Sequence, residues 1–229
     1  MRNTPSAILI FAAGFGTRMG ALTRDRPKPL IEVRGKPLID HALGVAADVP
    51  RKVVNAHYRA KQLEDHLAGQ DVPVSVEEPD ILDTGGGLRQ ASALLGEDTV
   101  YTLNSDVIWT APNPLSTLGS AWNPSLMQAL LLLVPISRAK GRSGPGDFSM
   151  APDGRLSRGG DLVFTGAQIL QTPRLADIPD RVFSLNRVWD LMERDGGLFG
   201  TVHSGGWCDV GHPAGITTAE AMLAGDGDG

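Results

Sequence analysis

The sequence predicts a doubly wound α/β fold, in which a mostly parallel, Rossmann-like sheet carries a small inserted β-rich lobe. Strand and helix patterns alternate through the first half of the chain, which is typical of right-handed βαβ units. Two continuous apolar runs, AILIFA at 7 to 12 and ALLLLV at 129 to 134, have the length and composition of buried strands. The 229 residues suffice for a large core. We therefore expect one domain spanning residues 1 to 229.

The first half of the chain supplies most of the predicted parallel sheet. Its strands are predicted at residues 7 to 12, 52 to 56, 72 to 78 and 99 to 104. Its helices are predicted at residues 37 to 47, 60 to 69 and 87 to 96. Pro37 is placed at a first helical position, where proline is favoured, and Gly69 and Gly96 end the other two helices.

The second half is less regular and contains the inserted lobe, which we place at residues 138 to 165. Within this lobe, residues 148 to 156 are predicted to form a hairpin that turns at Pro152-Asp153-Gly154. The other predicted elements are a helix near 114 to 121, strands at 128 to 136, 162 to 170 and 197 to 204, and a closing helix at 213 to 225. We expect the tail at 226 to 229 to be frayed.

A further helix in this half has recognisable ends. Ser184 is a suitable N-cap, and Phe183 and Val188 can form a hydrophobic staple across it. Gly196 supplies the C-terminal glycine. We therefore predict a helix between Ser184 and Gly196.

Composition restricts the function classes. The net charge of −5 argues against a general nucleic-acid binder, and the apolar runs are too short to span a bilayer. We interpret the apolar N-terminal run as the first strand and not as a signal peptide, because it leads directly into a glycine loop. The single cysteine, Cys208, excludes an intrachain disulfide and fits a reducing cytoplasm. Oligomeric state stays open.

The glycine loop after the first strand has the character of a phosphate site. Gly14, Gly16 and Gly20 let backbone N–H groups approach phosphate oxygens. The P-loop and the dinucleotide fingerprint both place a glycine at position 19, where this chain has Met19, so both are excluded. The glycines are followed by a local concentration of cations, namely Arg18, Arg24, Arg26 and Lys28. We expect this segment to bind an anionic small molecule.

Two of these cations suit phosphate chemistry in different ways. Arg18 can bind a phosphate through its planar guanidinium. Pro27 and Pro29 restrict φ on both sides of Lys28, so the lysine is held in a stiff frame and can be directed at one point. We predict that both side chains stabilise developing charge on phosphoryl groups.

The motif order resembles that of the sugar-1-phosphate nucleotidyltransferase family. The carriers of this resemblance are G-x-G-T-R, P-K-P-L and GKPLI near the N-terminus, followed by TGGGL, NSD, GDF, FTG and WCDVG. The resemblance implies transfer of a nucleotidyl group from a nucleoside triphosphate to a sugar 1-phosphate, with release of pyrophosphate. It leaves two substrate pairs open. The short chain and the segments DTGGG, NSD, RSGPGDF and FTG most resemble family members that use UTP with N-acetylmuramate 1-phosphate, and GTP with mannose 1-phosphate is the alternative.

Carboxylates at strand ends are the predicted metal ligands. Asp106 and Asp209 each follow a predicted strand, and substrates of open α/β sheets bind beyond the carboxyl ends of strands. The resemblance implies that both hold Mg²⁺, which nucleotidyl transfer commonly uses. A glycosyltransferase often carries an Asp-x-Asp motif, whereas this chain has Asn104-Ser105-Asp106 with one carboxylate. The catalytic residues are predicted to be Arg18, Lys28 and Asp106.

The remaining site residues are assigned to the two substrates. Three consecutive glycines before a helix, in LDTGGGL, are interpreted as a floor for the nucleoside. The predicted nucleotide-binding residues are Ala12, Ala13, Gly14, Gly16, Thr17, Arg18, Lys28, Thr84, Gly85 and Gly86. The predicted sugar-phosphate side consists of Asn104, Asp147 and Thr165.

Several other residues receive a structural interpretation. We expect Asn55 and His57 to make structural hydrogen bonds and Cys208 to be a small buried residue. The cations Arg138, Lys140 and Arg142 are interpreted as solvated, with contact to an anionic sugar as the alternative. A nucleotide-sugar-binding regulatory protein without turnover is the alternative of another class.

Overall fold

The computed structural model describes residues 4 to 225. The α-helices are α1 (Leu38–Val45), α2 (Ala60–Leu67), α3 (Asp83–Leu95), α4 (Pro114–Ala121), α5 (Leu185–Arg194) and α6 (Pro213–Gly225). The strands are β1 (Ala7–Phe11), β2 (Glu32–Val33), β3 (Lys36–Pro37), β4 (Arg51–Ala56), β5 (Val74–Val76), β6 (Thr99–Asn104), β7 (Val107–Trp109), β8 (Ala129–Pro135), β9 (Phe148–Met150), β10 (Leu156–Arg158), β11 (Leu162–Gln171), β12 (Leu198–Val202) and β13 (Trp207–Asp209). Short 3₁₀ segments lie at Thr17–Thr23, Lys28–Leu30, Ile136–Arg138 and Thr172–Asp177.

The main sheet is mostly parallel. Strand β1 lies between β4 and β6 and is parallel to both, and β5 continues the sheet beyond β4. On the other side of β6, strand β11 runs antiparallel to both β6 and β8, which restores the common direction in β8 and β12. The predicted doubly wound α/β fold class is confirmed.

The inserted hairpin is attached to the start of β11. Strands β9 and β10 pair antiparallel, as predicted, and Leu162 of β11 pairs with Phe148 of β9. The hairpin therefore extends the main sheet beside the carboxyl end of β6. The extent of the lobe, 138 to 165, stays a prediction.

Alternating side chains of the central strands fill a core on each face of the sheet. In β1, Ile8 and Ile10 belong to one apolar cluster, whereas Ala7 and Leu9 belong to the other. The first cluster includes residues of α1, α2 and α4, and the second includes residues of α3 and α5. This period of two is the expected consequence of strand geometry in a sheet covered by helices on both faces.

A third apolar cluster packs against the glycine loop. Met19 of the loop and Ile31, just after the Pro-Lys-Pro segment, pack with Val210 and with Ala219 of α6. Cys208 also belongs to this cluster and is fully buried, as predicted, and burial raises the pKa of its thiol to about 11. The closing helix therefore anchors the segment that carries Arg18 and Lys28.

Most predicted elements are present with small shifts at their ends. The Ser184 side chain accepts a hydrogen bond from Asn186 N at the start of α5, so the predicted cap is confirmed. Phe183 and Val188 are both buried in the second cluster, and the staple between them stays a prediction. Pro37 precedes α1 as its N-cap instead of its first residue. The short strands β2, β3, β7 and β13 were not predicted. The tail at 226 to 229 lies outside the described residues.

Within residues 4 to 225, no helix combines the length and the apolar character that crossing a bilayer requires.

Candidate active site

The predicted site residues converge where the winding of the sheet reverses. The chain proceeds from β1 to β4 and β5 on one side and then returns to β6 on the other, so the switch point lies between β1 and β6. Ligands of open α/β sheets bind in the crevice at this point. Three cavities meet there, and Asn104, at the end of β6, lines all of them.

The glycine-loop cavity, of about 250 Å³, lies above the end of β1. It contains predicted nucleotide-binding and catalytic residues from separate parts of the chain, namely Ala12, Ala13, Gly14, Lys28, Thr84 and Asp106. Asn55 and Glu77 also line it, although the sequence did not mark Glu77 as a site residue.

A buried carboxylate network forms one wall of the glycine-loop cavity. Ala12 N donates to Asn55 Oδ1 at 2.7 Å, and Asn55 Nδ2 donates to Glu77 Oε1 at 2.7 Å. Leu82 N donates to the other Glu77 oxygen at 2.7 Å. Burial raises the pKa of Glu77, and the hydrogen bonds that Glu77 accepts from Leu82 and Asn55 oppose this increase. The predicted structural hydrogen bonding of Asn55 is confirmed, and this bonding fixes the start of the glycine loop.

Gly16 is needed for backbone shape and close packing. Its φ is 65°, and a Cβ there would lie 2.9 Å from both Lys28 Cβ and Thr23 Cγ2. Gly16 thus lets the loop fold against the lysine stem. Neither Gly16 nor Thr17 borders any of the three cavities, so their assignment to nucleotide binding stays a prediction.

The triple glycine was predicted to precede a helix. It lies instead within the first turns of α3. Cβ atoms would lie 2.3 Å from the Phe183 ring at Gly85, 2.5 Å from a backbone oxygen at Gly86, and 2.4 Å from Glu77 Oε1 at Gly87. The N–H groups of Gly85 and Gly86 donate to the Phe183 carbonyl. These glycines make room for protein neighbours and border none of the three cavities, so their interpretation as a floor for the nucleoside stays a prediction. Thr84 does line the cavity.

Gly85→Ala is expected to lower the free energy of unfolding by about 1–3 kcal/mol, because the added methyl overlaps the Phe183 ring and carbonyl. Urea titration followed by circular dichroism measures the change. Gly44→Ala is the matched control, since Gly44 lies in α1 and its nearest neighbour is the flexible tip of Lys36 at 3.4 Å. The control should be neutral or stabilising by up to about 1 kcal/mol. Equal losses in both variants would contradict the packing role of Gly85.

Lys28 and Asp106 form an ion pair in the wall of the glycine-loop cavity. Lys28 begins a 3₁₀ turn after Pro27, is 8% exposed, and places Nζ 2.5 Å from Asp106 Oδ2. The stem is confined by the turn and by Gly16, so the ammonium group is held in position. Asp106 Oδ1 has no protein donor among the described residues, and Asp106 borders the glycine-loop cavity.

A small antiparallel sheet brings Asp209 close to Asp106. Strand β13 pairs with β7 so that Asp209 is opposite Val107, and Val210 N donates to the Asp106 carbonyl at 2.9 Å. Burial raises the pKa of Asp209, and the nearby negative charge of Asp106 raises it further, while Lys28 opposes the shift. The Asp106 carboxylate thus lies close enough to Asp209 to contribute to the raised pKa of Asp209.

The second cavity, termed the carboxylate cavity, measures about 320 Å³ and is lined by Asp106 and Asp209. Arg18 and Asn104 also line it. Gly211 permits the approach of Arg18, since a Cβ there would lie 2.9 Å from Asp209 Oδ2 and 3.1 Å from Arg18 Nη1. Among the described residues, Arg18 has no ion pair or side-chain hydrogen bond, which leaves its guanidinium available to an anion.

The donor set of this cavity fits a divalent cation that is completed by a substrate. Mg²⁺ prefers oxygen ligands and is commonly bound through one or two carboxylates plus phosphates and water. Asp106 and Asp209 supply two carboxylates, and a cation would relieve the repulsion that contributes to the raised pKa of Asp209. Residues 4 to 225 contain no cluster of three or more histidine, cysteine, aspartate or glutamate side chains suited to a metal. Further ligands would have to come from substrate and water.

A bulge in β11 gives Asn104 its space. The pairing of β11 with β8 shifts between Phe164 and Gln168, and Gly166 has a φ of 87°. A Cβ on Gly166 would lie 2.7 Å from Asn104 Cγ. Thr165 borders the carboxylate cavity, but it is fully buried and its hydroxyl donates to the Leu132 carbonyl at 2.7 Å. The Thr165 hydroxyl thus stabilises the bulge, and the assignment of Thr165 to the sugar-phosphate side stays a prediction.

Asp147 positions Arg142, which was predicted to be solvated. The Arg142 guanidinium makes two parallel bonds to the Asp147 carboxylate at 2.7 and 2.8 Å, and Phe164 N donates to Asp147 Oδ2 at 2.8 Å. Both oxygens of Asp147 are thus occupied, so its predicted direct contact with sugar phosphate is replaced by the positioning of Arg142. The interpretation of Arg142 as solvated is wrong, since it lines two of the cavities.

The third cavity, termed the aromatic cavity, also measures about 320 Å³. Its walls include Phe148, Phe164 and Trp189, and its polar lining includes Arg142 and Arg158. Asn104, Arg142 and Phe164 also border the carboxylate cavity, so the two cavities are neighbours. The three cavities thus offer room for two molecules around Asn104.

The fold and site together define a nucleotidyltransferase class of enzyme. A switch-point crevice, a glycine loop with Arg18 and Lys28, and a pair of carboxylates suit transfer between two phosphorylated molecules. The MobA-like NTP transferase domain family matches residues 8 to 139. The chain belongs to this family and is a sugar-1-phosphate nucleotidyltransferase, so the resemblance noted in the sequence is confirmed.

Two curated relatives match over nearly their full length. The chain is 40% identical to an N-acetylmuramate alpha-1-phosphate uridylyltransferase of Caulobacter vibrioides, covering 98% of this chain and 99% of the relative. It is 32% identical to an N-acetylmuramate alpha-1-phosphate uridylyltransferase of Neisseria meningitidis, covering 93% of this chain and 96% of the relative.

A solved structure supports the fold alone. HddC from Yersinia pseudotuberculosis, crystallised with GMP-PN, superposes with a TM-score of 0.75 at 21% identity. The match covers 95% of this chain and 99% of HddC. It agrees with the doubly wound sheet described above.

Proposed function

We propose that this protein transfers the uridylyl group of UTP to N-acetylmuramate 1-phosphate, forming UDP-N-acetylmuramate and pyrophosphate with Mg²⁺ as cofactor. The observation that carries the proposal is the junction of the glycine-loop and aromatic cavities at Asn104, beside Asp106. One cavity suits a nucleotide and the other an acceptor. The names of the two curated relatives support this choice of substrates.

The reaction is an in-line displacement at phosphorus. An oxygen of the sugar phosphate attacks the α-phosphorus of UTP, the bond from that phosphorus to the bridging α–β oxygen breaks, and pyrophosphate leaves with the electron pair. Ala12, Ala13 and Gly14 border the cavity assigned to the nucleotide, and Arg18 has the freedom to bind its phosphates. Lys28 neutralises charge that develops on the reacting phosphates.

Asp106 and Asp209 would hold Mg²⁺, which supplies charge neutralisation and alignment of the phosphates when bound. Lys28 binds Oδ2 of Asp106, which leaves Oδ1 without a protein donor among the described residues, and Asp106 borders the carboxylate cavity. The β7–β13 pairing sets the separation of the two carboxylates. On the acceptor side, Asn104 and Arg142, which Asp147 orients, border both the carboxylate cavity and the aromatic cavity.

We further propose that the whole chain, 1 to 229, works as one nucleotidyltransferase domain whose segment 138 to 165 contributes the acceptor side. We assign the reaction to the cytoplasm and to the return of recycled cell-wall muramic acid into peptidoglycan synthesis. The chemistry of UDP-N-acetylmuramate and the single buried thiol, Cys208, support this assignment.

A substrate panel tests the proposal. Pyrophosphate release is measured for UTP and GTP, each with N-acetylmuramate 1-phosphate and mannose 1-phosphate, in Mg²⁺ and in EDTA. We expect the highest kcat/KM for UTP with N-acetylmuramate 1-phosphate and loss of activity in EDTA. A preference for GTP with mannose 1-phosphate would replace the substrate assignment. Tight binding of UDP-N-acetylmuramate without turnover of any pair would support the regulatory alternative.

A further inference from the structure

The aromatic cavity is built to hold a ring with polar groups at its edges. Trp189 contacts Phe164 and Phe148 edge to face, with ring centroids 4.9 and 6.0 Å apart. The Trp189 indole N–H donates to Gln168 Oε1 at 2.9 Å, and Gln168 is almost fully buried. The rings are therefore fixed in orientation, and together with Gln168 they form an amphipathic lining.

Two arginines line this cavity at different distances from the reaction centre. Arg142 is shared with the carboxylate cavity and therefore lies at the end near Asp106. Arg158, on β10, lines the aromatic cavity and not the carboxylate cavity. An acceptor whose phosphate lies near Asp106 thus directs the rest of its sugar ring toward Arg158.

Arg158 is held rigidly by its neighbours. Its Nε and Nη2 donate to Asp190 Oδ1 at 3.0 and 2.6 Å. Its Nη1 and Nη2 donate to the Asn186 side-chain and backbone oxygens, both at 3.0 Å. The guanidinium also lies 4.9 Å from the Phe148 ring centroid and 5.5 Å from that of Trp189. Of its five N–H groups, one on Nη1 is left without a protein acceptor among the described residues.

The wall around Arg158 favours an anion. Ser184 and Asn186, at the N-terminal end of α5, line the same cavity, and the helix dipole is positive there. The acids that share the cavity already have partners, since Asp147 binds Arg142 and Asp83 accepts from Thr84 N. The N–H groups of Leu185, Asn186 and Arg187 have acceptors within the protein, so the donor left for an anion at this wall, within the described part of the chain, is the unpaired N–H on Arg158 Nη1.

We infer that Arg158 is a specificity-determining residue, which binds a carboxylate carried by the sugar of the acceptor while the phosphate lies beside Asp106. This inference rests on the proposed function. N-acetylmuramate 1-phosphate has two anionic groups, the 1-phosphate and the carboxylate of its 3-O-lactyl ether. N-acetylglucosamine 1-phosphate has the same ring and phosphate but lacks the lactyl group. Arg142 and Arg158 thus correspond to the two anionic ends of one substrate.

The test compares these two acceptors in steady-state kinetics with UTP. Arg158→Gln is expected to lower kcat/KM for N-acetylmuramate 1-phosphate between about 10- and 100-fold, mainly through KM, because a charge-assisted hydrogen bond is lost. For N-acetylglucosamine 1-phosphate, which has no carboxylate for Arg158 to bind, the change in kcat/KM should stay below about threefold. Arg158→Lys, which retains charge without the fork, should give an intermediate loss and remains informative if the glutamine variant fails to fold.

Arg155→Gln is the matched control on the same hairpin. Arg155 also stacks on a ring, Phe199, and pairs with Asp153, but it does not line the aromatic cavity. Its removal should leave the ratio of the two acceptors unchanged. Asp190→Asn should likewise preserve the preference for the carboxylate-bearing acceptor, because the guanidinium remains.

The outcomes separate this inference from the proposed function. Equal losses for both acceptors in the Arg158 variants would overturn the inference and leave Arg158 as a connection between the hairpin and α5. An unchanged acceptor ratio in folded variants, together with wild-type activity on N-acetylmuramate 1-phosphate, would also overturn the inference alone. Wild-type protein inert with that acceptor would overturn the proposed function.

Discussion

Asp106→Asn is expected to reduce kcat/KM by at least about 10³-fold, or ~4 kcal/mol of transition-state stabilisation, while the protein remains folded. The substitution keeps the side-chain shape but replaces a carboxylate oxygen by an amide, which is a poor ligand for Mg²⁺. It also removes the charge that pairs with Lys28 at 2.5 Å. Both effects act where the glycine-loop cavity and the carboxylate cavity meet.

Pyrophosphate release and Mg²⁺ titration measure the consequence of Asp106→Asn, and thermal unfolding checks the fold. Asp65→Asn is the matched control, because Asp65 also pairs with a lysine, Lys61, but on the exposed surface of α2. That control should retain wild-type activity. A folded Asp106→Asn protein with near wild-type turnover would remove Asp106 from the catalytic site.

Lys28→Met is expected to lower kcat/KM by at least about 10²-fold, a loss of roughly 3 kcal/mol that is typical of one preorganised charge partner. Methionine retains much of the length and apolar volume of the stem, which packs beside Gly16. The ammonium group is lost, so charge on the reacting phosphates and on Asp106 is no longer neutralised.

The kinetics of Lys28→Met should show a fall in kcat, because the lysine acts on charge that develops during reaction. Lys61→Met provides the comparison for removal of an exposed lysine from an aspartate pair and should change kcat/KM little. A loss of kcat/KM below fivefold in the folded Lys28→Met protein would show that the lysine has no part in catalysis.

The fold was predictable from local patterns wherever an element has a strong signal of its own. Apolar runs marked β1 and β8, and Ser184 and Gly196 marked the ends of α5, since caps and burial act within a few residues. The start of α3 at Asp83 was missed. Three glycines have low helix propensity, but close packing against Phe183 and Glu77 outweighs it.

The candidate site was predictable where the motif itself specifies chemistry. Lys28, Asp106 and Asn104 lie together in the structure, as their positions after strands and between prolines indicated. Thr165 and Asp147 were assigned to the sugar phosphate, yet their polar atoms are used by Leu132 and Arg142. Such partners come from segments distant in the chain or from loop geometry, and residue type alone does not reveal them.

The sequence by itself determined the class of reaction, because a phosphate-binding loop, a restrained lysine and carboxylates at strand ends are local features with direct chemical meaning. Only the tertiary structure decided which groups act together. The pairing of β7 with β13 brings Asp209 to Asp106, and the packing of the hairpin on α5 places Arg158 in the aromatic cavity. The physical reason is that backbone propensity acts over a few residues, whereas shared burial and hydrogen bonding join segments far apart in the chain.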